Sequence, residues 1–252
     1  MDNFEQYRIG KVYICKTCLE KAVNKIIKRV DEGCGGYICV SNVRTVLYAN
    51  KHQDFFKVMD NAMMCLPDGM PLVWMARLWG LKEVQRTDGP DLFVSLITNP
   101  ANGLRHFLLG DTDETLNTIS EKYHDALIVG TYSPPFCQLE EFDLKDISER
   151  INNSGADIVW ISMRAPKQDF LAERLQPFLG KKICVGVGAA FRFALGEYQH
   201  PSVIVQKLGL TGLVWRKNKV EMALNTFVRA CYLIKWGCQI LMWRLLGRKY
   251  YE

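Results

Sequence analysis

Short apolar runs alternate with amphipathic helical stretches through most of this chain. Residues 19–30 carry apolar side chains at i, i+3, i+4, i+7, i+8 and i+11, which predicts a helix that glycines at 33, 35 and 36 can end. A β-branched run follows at 37–40. Such alternation is typical of an α/β fold with a largely parallel sheet flanked by helices. The other predicted strands are 106–109, 127–129, 157–163 and 183–187, and the predicted helices include 112–123 and 144–151.

Polar, glycine and proline residues follow each predicted strand. In an open parallel sheet the carboxyl ends of the strands meet at one edge, where ligands bind. Any βα turn needs such residues, but five of these loops together favour a binding cleft for a nucleotide. The loops are Ser41-Asn42-Val43, Gly110-Asp111-Thr112, residues 131–135, residues 164–168 and residues 188–191.

Composition indicates one globular unit with a C-terminal appendage. The chain has 252 residues, of which 48% are hydrophobic and 23% charged. The first residues have neither the basic start nor the apolar stretch of a secretory signal, so we expect the nine cysteines to occupy a reducing cytosol. Cys15 and Cys18 form one close pair without further ligands at zinc-finger spacing, which favours packing over metal binding.

Charge is concentrated at the C-terminal end. Beyond position 205, nine basic residues against two acidic ones give +7, which leaves −2 for residues 1–205 out of the total of +5. We therefore divide the chain into a core at 1–205 and a basic, amphipathic appendage at 206–252. The appendage is either a solvated basic face or a surface for an anionic partner.

Three segments carry a specific resemblance to a known family. They are Cys39 to Val43, Leu66-Pro67-Asp68-Gly69 together with Arg86 to Leu92, and Ala165 to Asp169. Two weaker segments, Phe107 to Gly110 and Gly186 to Phe191, occur in the right order. Together these segments resemble the WecG/TagA/CpsF glycosyltransferases, glycosyltransferase family 26, from about residue 37 to about residue 210.

The resemblance implies a Rossmann-like catalytic core that binds a nucleotide-sugar, with a helical C-terminal appendage involved in membrane association. It implies an inverting transfer that needs no metal or other cofactor. The expected donor is a UDP-sugar carrying N-acetylmannosamine, its uronic acid or a hexose. The expected acceptor is a sugar linked to undecaprenyl diphosphate, in the synthesis of cell-surface polysaccharide at the cytoplasmic face of the membrane. A homo-oligomer is compatible with this reading.

The resemblance also assigns roles to residues. An inverting transfer needs a base, for which Asp68 is the candidate, and groups that stabilise the departing diphosphate. Arg86 offers a planar fork to a diphosphate or carboxylate, with a surface ion pair to Asp88 or Asp91 as its alternative role. Asn42 and Gln168 can bind sugar, ribose or phosphate oxygens, or can cap helices. The remaining substrate-binding candidates are Gly110, Gly188 and Arg192.

Several positions depart from the family pattern. Val40 stands where many relatives have Thr, Asp169 replaces a Glu, and Arg192 replaces an Asp. These departures are compatible with a changed donor or with a weakened enzyme, so a nucleotide-sugar-binding or regulatory protein is an alternative. Asp111-Thr112-Asp113 matches the metal-binding motif of another glycosyltransferase class, but capping at a helix start explains it without a metal.

The C-terminal apolar stretch, residues 227–246, contains three basic residues that disfavour a spanning helix. We predict a helix lying on an anionic membrane surface, and packing on the core or on a second subunit is the alternative. The predicted membrane-contacting residues are Arg229, Trp236, Trp243, Arg244, Arg248 and Lys249.

Two other classes fit less well. A nicotinamide-dependent oxidoreductase would need Gly-x-Gly-x-x-Gly directly after the first strand, whereas Gly186-Val187-Gly188 comes late and has no third glycine at that spacing. The basic appendage has no recognised nucleic-acid-reading motif, so we expect no nucleic-acid partner.

Overall fold

The computed structural model describes residues 5–99, 103–199 and 219–249, together with Ser202 and Val205, except for the side chains of residues 219–225 and 227. The described strands are β1 (Gln6–Ile9), β2 (Val12–Cys15), β3 (Gly36–Ser41), β4 (Met64–Pro67), β5 (His106–Gly110), β6 (Ile128–Tyr132), β7 (Ile158–Ser162) and β8 (Ile183–Gly186). The described helices are α1 (Leu19–Asp31), α2 (Val43–Lys51), α3 (Gln53–Asp60), α4 (Met70–Leu78), α5 (Gly89–Ile97), α6 (Asp113–Lys122), α7 (Leu144–Ser154), α8 (Lys167–Leu179), α9 (Ala190–Leu195) and α10 (Lys219–Leu245).

A six-stranded parallel sheet in the order β4-β3-β8-β7-β5-β6 forms the centre of the fold. Its inner strands are buried on both faces, and alternate side chains enter two separate apolar layers. In β7, Val159 and Ile161 face the layer that includes α2, α3, α4, α7 and α8, whereas Ile158 and Trp160 face the layer of α1, α5, α6 and α9. The predicted Rossmann-like α/β class, with a parallel sheet flanked by helices and a C-terminal helix, is confirmed.

An antiparallel hairpin of β1 and β2 precedes this sheet and was not predicted. Its alternating residues Tyr7, Ile9, Val12 and Ile14 are all buried. The Tyr7 hydroxyl donates to the carbonyl of Leu72 in α4 at 3.1 Å, which attaches the hairpin to the core. The period-two pattern of residues 7–14 was the available signal.

Most predicted elements lie within one to three residues of their observed bounds. The helix expected at 19–30 is α1, and those expected at 112–123 and 144–151 are α6 and α7. Strand β4, Met64 to Pro67, was not predicted. The predicted boundary between residues 205 and 206 falls in the stretch 200–218, most of which lies outside the described residues.

Helix α10 packs through one face on the ends of α2 and α4. Trp236 and Trp243 are 3% and 8% exposed, and the Trp243 ring stacks on Trp79 with 6.0 Å between centroids. The Arg244 guanidinium donates to the carbonyl of Leu78 at 2.6 Å. The predicted membrane contacts of Trp236 and Trp243 are therefore corrected, because burial on the core removes both indoles from any outer surface.

Truncation of Trp243 should loosen this packing. We expect Trp243→Ala to lower the free energy of unfolding by about 3 to 5 kcal/mol, as is usual for a buried Trp, measured by urea unfolding. Met242→Ala, at a neighbouring residue that is 52% exposed, is the control and should change stability by less than about 1 kcal/mol. Equal effects of the two changes would contradict the observed packing.

Candidate functional site

A cleft with a volume of about 360 Å³ opens at the carboxyl edge of the sheet. Its walls come from the ends of β3, β4, β5, β7 and β8, because parallel pairing brings all of these ends to one edge. This is the edge at which the sequence predicted a ligand. The lining includes Asn42, Arg44, Asp68, Asp111, Arg164, Gln168, Gly188, Arg192 and Tyr198.

Asp68 lies in the cleft directly after β4. Its backbone N–H donates to the carbonyl of Ser41 at 2.7 Å, which ties the loop to the end of β3. The next residue, Gly69, has φ of +133°, a conformation that side chains disfavour. The tight turn therefore holds the carboxyl group at the strand end and starts α4.

Asn42 combines the two roles considered for it. Its side-chain oxygen accepts from the backbone N–H groups of Arg44 at 3.0 Å and Thr45 at 3.3 Å, which caps α2. The Thr45 hydroxyl accepts in return from the Asn42 N–H at 2.9 Å and completes a capping box. The Asn42 side chain also hydrogen-bonds the Asp68 carboxylate. The helix cap thereby fixes the orientation of the candidate base.

Arg86 lies beside Asp68 but is not among the residues that line the cleft. Its guanidinium pairs with Asp88 at 2.7 Å and with Asp91 at 3.4 Å, so the ion pair considered as its alternative role is observed with both partners. A hydrogen bond of 2.9 Å from the Thr87 N–H to the Pro67 carbonyl holds this segment against the end of β4. A direct contact of Arg86 with substrate stays a prediction.

The carboxyl groups of this cluster hold protons more tightly than isolated ones. Burial raises the pKa of Asp68 to about 6, although the Arg86 guanidinium and the hydrogen bond from Asn42 oppose the shift. Burial, followed by the charge of Asp68, raises the pKa of Asp88 to about 8. At neutral pH, Asp68 is therefore ionised and able to accept a proton.

Gln168 shapes the opposite wall of the cleft. Its side-chain oxygen accepts from the Gly188 N–H at 2.8 Å, and the Ser162 hydroxyl donates to the Gly188 carbonyl at 2.7 Å. A side chain at Gly186 would lie 2.8 Å from the Gln168 amide, so only glycine fits there. Gln168 is thus neither a helix cap nor a freely projecting group: its oxygen and the Gly188 N–H already bind each other.

Arg192 lies at the far side of the cleft, where its charge is neutralised. Its guanidinium binds the two oxygens of Asp111 at 2.7 and 3.1 Å and Glu197 at 3.2 Å. Asp111 has φ of +60°, and Gly110 before it approaches the Ser162 carbonyl too closely for a side chain. The capping predicted for the Asp111-Thr112-Asp113 motif is made by Thr112, whose hydroxyl accepts from the Thr115 N–H, while Asp111 accepts from the Thr112 N–H and binds Arg192.

Sequence reasoning missed Arg44 and Arg164 as residues of the cleft. The Arg44 guanidinium donates to the carbonyl of Ala165 at 3.0 Å, across 121 residues of sequence. Arg164 is exposed at the end of β7. The local pattern marked the loop 164–168 without singling out Arg164, and no local pattern signals Arg44, which only the order of the strands brings to the cleft.

Within the described part of the chain, no group of three or more His, Cys, Asp or Glu residues is arranged to hold a metal ion. Asp113 is exposed in the first turn of α6, whereas Asp111 binds Arg192. The two carboxylates of the Asp111-Thr112-Asp113 motif therefore have different surroundings. Cys15 is buried and Cys18 is half-buried, and both are free thiols.

A cleft at this edge is where α/β proteins with an open parallel sheet bind their ligands, and comparison with known proteins gives the family. Residues 7–216 match the model of the glycosyl transferase WecG/TagA/CpsF family. The chain belongs to this family and is a glycosyltransferase of cell-wall polysaccharide synthesis.

Two curated relatives carry the same name, N-acetylglucosaminyldiphosphoundecaprenol N-acetyl-beta-D-mannosaminyltransferase. The protein from Bacillus subtilis strain 168 is 27% identical over 184 residues, which cover 70% of each chain. The protein from Bacillus spizizenii is 25% identical over 183 residues, which cover 70% of this chain and 69% of the relative.

Removal of the Gln168 side chain should disturb the wall that carries Gly188. We expect Gln168→Ala to lower the free energy of unfolding by about 1 to 3 kcal/mol, because a buried hydrogen bond is lost, measured by urea unfolding. Gln53→Ala, at an exposed glutamine in the first turn of α3, is the matched control and should change stability by less than about 0.5 kcal/mol. An unchanged midpoint for Gln168→Ala would contradict its role in the wall.

Proposed function

We propose that this protein transfers a sugar from a UDP-sugar to a sugar on polyprenyl diphosphate, with inversion at the anomeric carbon. The observation that carries the proposal is the ionisable carboxyl of Asp68, which the Asn42 cap orients in a cleft at the carboxyl edge of a parallel sheet. The names of the Bacillus relatives support an acceptor linked to undecaprenyl diphosphate and N-acetylmannosamine as the transferred sugar.

In this mechanism Asp68 takes the proton of the acceptor hydroxyl while the hydroxyl oxygen attacks the anomeric carbon. The new carbon–oxygen bond forms as the bond to the diphosphate breaks, and the electron pair leaves with UDP. Attack from the face opposite the leaving group inverts the configuration. Asp68 suits the role of base because a group with a pKa near the working pH is an efficient proton acceptor.

Cationic groups of the cleft compensate the charge that develops on the diphosphate. Arg164 and Arg44 lie on the walls formed after β7 and β3. Such groups stabilise a departing anion without a metal, so we propose a transfer that requires no cofactor. Retention of activity in the presence of a chelator such as EDTA supports this part of the proposal, and loss of activity restored by added magnesium contradicts it.

Replacement of the base should abolish turnover. We expect Asp68→Asn to reduce UDP release from UDP-N-acetylmannosamine and a lipid-linked N-acetylglucosamine acceptor by about 100-fold or more, within the range that general bases contribute. Asp113→Asn, which neutralises an exposed carboxylate in α6, is the control and should retain activity. UDP release by Asp68→Asn at the wild-type rate would rule out the assignment.

The pH dependence should follow the same carboxyl group. Because the pKa of Asp68 is raised to about 6, the base is protonated below that pH. We expect kcat/KM to fall about tenfold per pH unit below pH 6, measured from initial rates of UDP release. Binding of UDP without turnover at any pH would instead indicate the binding or regulatory protein considered as the alternative.

We further propose that α10 binds an anionic membrane surface at the cytoplasmic face through its outer side. None of the helices described here has the length and apolar character needed to cross a bilayer. The residues Ile234, Leu241 and Leu245 are 66%, 46% and 89% exposed and fall at i, i+7 and i+11 of one helical face. The exposed basic residues Lys235, Arg248 and Lys249 accompany them, whereas the guanidinium of Arg244 binds the carbonyl of Leu78. Arg229, predicted to contact the membrane, is half-buried.

A charge on this outer side should weaken vesicle binding. We expect Leu245→Glu to reduce the affinity for vesicles of phosphatidylglycerol and phosphatidylethanolamine by about tenfold, since burying a leucine contributes about 1.5 to 3 kcal/mol and 1.4 kcal/mol equals tenfold in affinity. Leu127→Glu, at a leucine that is 48% exposed next to β6, adds the same charge elsewhere and is the control. Equal vesicle binding by the wild type and Leu245→Glu, measured by sedimentation, would contradict the proposal.

A further inference from the structure

Asp88 is a buried ionisable residue, and its capping role does not require an ionisable group. Its side chain is 4% exposed and caps α5 by accepting from the Asp91 N–H at 3.0 Å. Asn, Ser or Thr would cap a helix equally well. Burying an ionisable carboxyl group costs free energy unless it is paired. The carboxyl group of Asp88 therefore has a role beyond capping the helix.

The second oxygen of Asp88 binds the guanidinium of Arg86 at 2.7 Å. The segment of Arg86 lies beside Asp68, because the Thr87 N–H hydrogen-bonds the carbonyl of Pro67, the residue before Asp68. A side chain at Gly89 would lie 2.6 Å from the carbonyl of Val187, so α5 begins directly against the end of β8. The segment of residues 86–89 is thus held by Asp88, by the end of β4 and by the end of β8.

Three carboxyl groups, those of Asp68, Asp88 and Asp91, interact with one guanidinium in this cluster. Among the described residues, the ionisable groups that act on Asp88 are Asp68 in the loop before α4, Arg86 in the loop before α5, and Asp91 in α5 itself. The Asp91 side chain is 48% exposed, so solvent screens its charge. Asp68 and Asp88 therefore titrate as a pair, in which the ionisation of one opposes that of the other.

We propose that Asp88 is a positioning residue for Asp68, because it holds the Arg86 guanidinium beside the candidate base. With one negative charge in the pair, the guanidinium balances Asp68. A second negative charge, gained when Asp88 ionises, leaves an uncompensated negative charge beside Asp68, which opposes the binding of an anionic donor. The pKa of about 8 for Asp88 places this change at the alkaline side of the working range.

The dependence of kcat/KM on pH tests this role, and this experiment rests on the proposed transferase function. Asp88→Asn keeps a capping oxygen but cannot ionise, so the alkaline limb of kcat/KM near pH 8 should disappear while the acid limb remains. Asp143→Asn is the matched control, since Asp143 caps α7 with the same 3.0 Å bond to the residue three positions on. Its profile should match the wild type. An alkaline limb that persists unchanged in Asp88→Asn would overturn the proposal.

A second experiment measures stability and does not depend on transferase activity. Raised pKa values in the folded state mean that the native chain binds more protons than the unfolded one, so this pair lowers stability as pH rises from 5 to 8. In a cycle of Asp68→Asn, Asp88→Asn and the double variant, the urea midpoints should show coupling at pH 8 that is lost at pH 5. Additive midpoints at both pH values would overturn the proposal, whereas coupling without any sugar transfer would refute the transferase function alone. Asp88→Ser replaces Asp88→Asn if the latter does not fold.

Discussion

Parallel pairing of the six central strands is the constraint on which the rest of the molecule depends. Because β3, β4, β5, β7 and β8 run in one direction, five loops far apart in sequence end at one edge. The strands can be parallel only if helices cover both faces of the sheet. The two apolar layers therefore do more than stabilise the fold: they determine which side chains share the cleft.

Charges at that edge are stabilised by pairing across loops. Arg192 binds Asp111 over 81 residues of sequence, and Arg86 binds Asp88 beside Asp68. An unpaired charge in such partly buried positions would cost several kcal/mol. The charged groups differ in how fully they are compensated. Arg192 is bound by the carboxylates of Asp111 and Glu197, whereas Asp68 interacts with the amide of Asn42 and with the Arg86 guanidinium, which other carboxyl groups also contact. This inequality distinguishes a reactive carboxyl from structural ones.

Local sequence patterns predicted the helices and strands better than they predicted the contacts between distant residues. The apolar period of residues 19–30 and the strand at 37–40 were sufficient for α1 and β3, and the polar residues after the strands indicated the correct edge of the sheet. The bond from Gln168 to Gly188 and that from Arg44 to Ala165 had no such signal. Both depend on strand order, which local periodicity does not encode.

Helix α10 shows why periodicity was ambiguous at the C-terminal end. Trp236, Ile240 and Trp243 form a buried stripe at i, i+4 and i+7, and Leu241 and Leu245 belong to an exposed stripe on another side. Two apolar stripes on one helix blur the contrast on which an amphipathic pattern depends. A helix that only packed on the core would need the first stripe alone. The second, flanked by basic residues, is the feature that core packing leaves unexplained, and the lipid surface proposed above would account for both its apolar character and its charge.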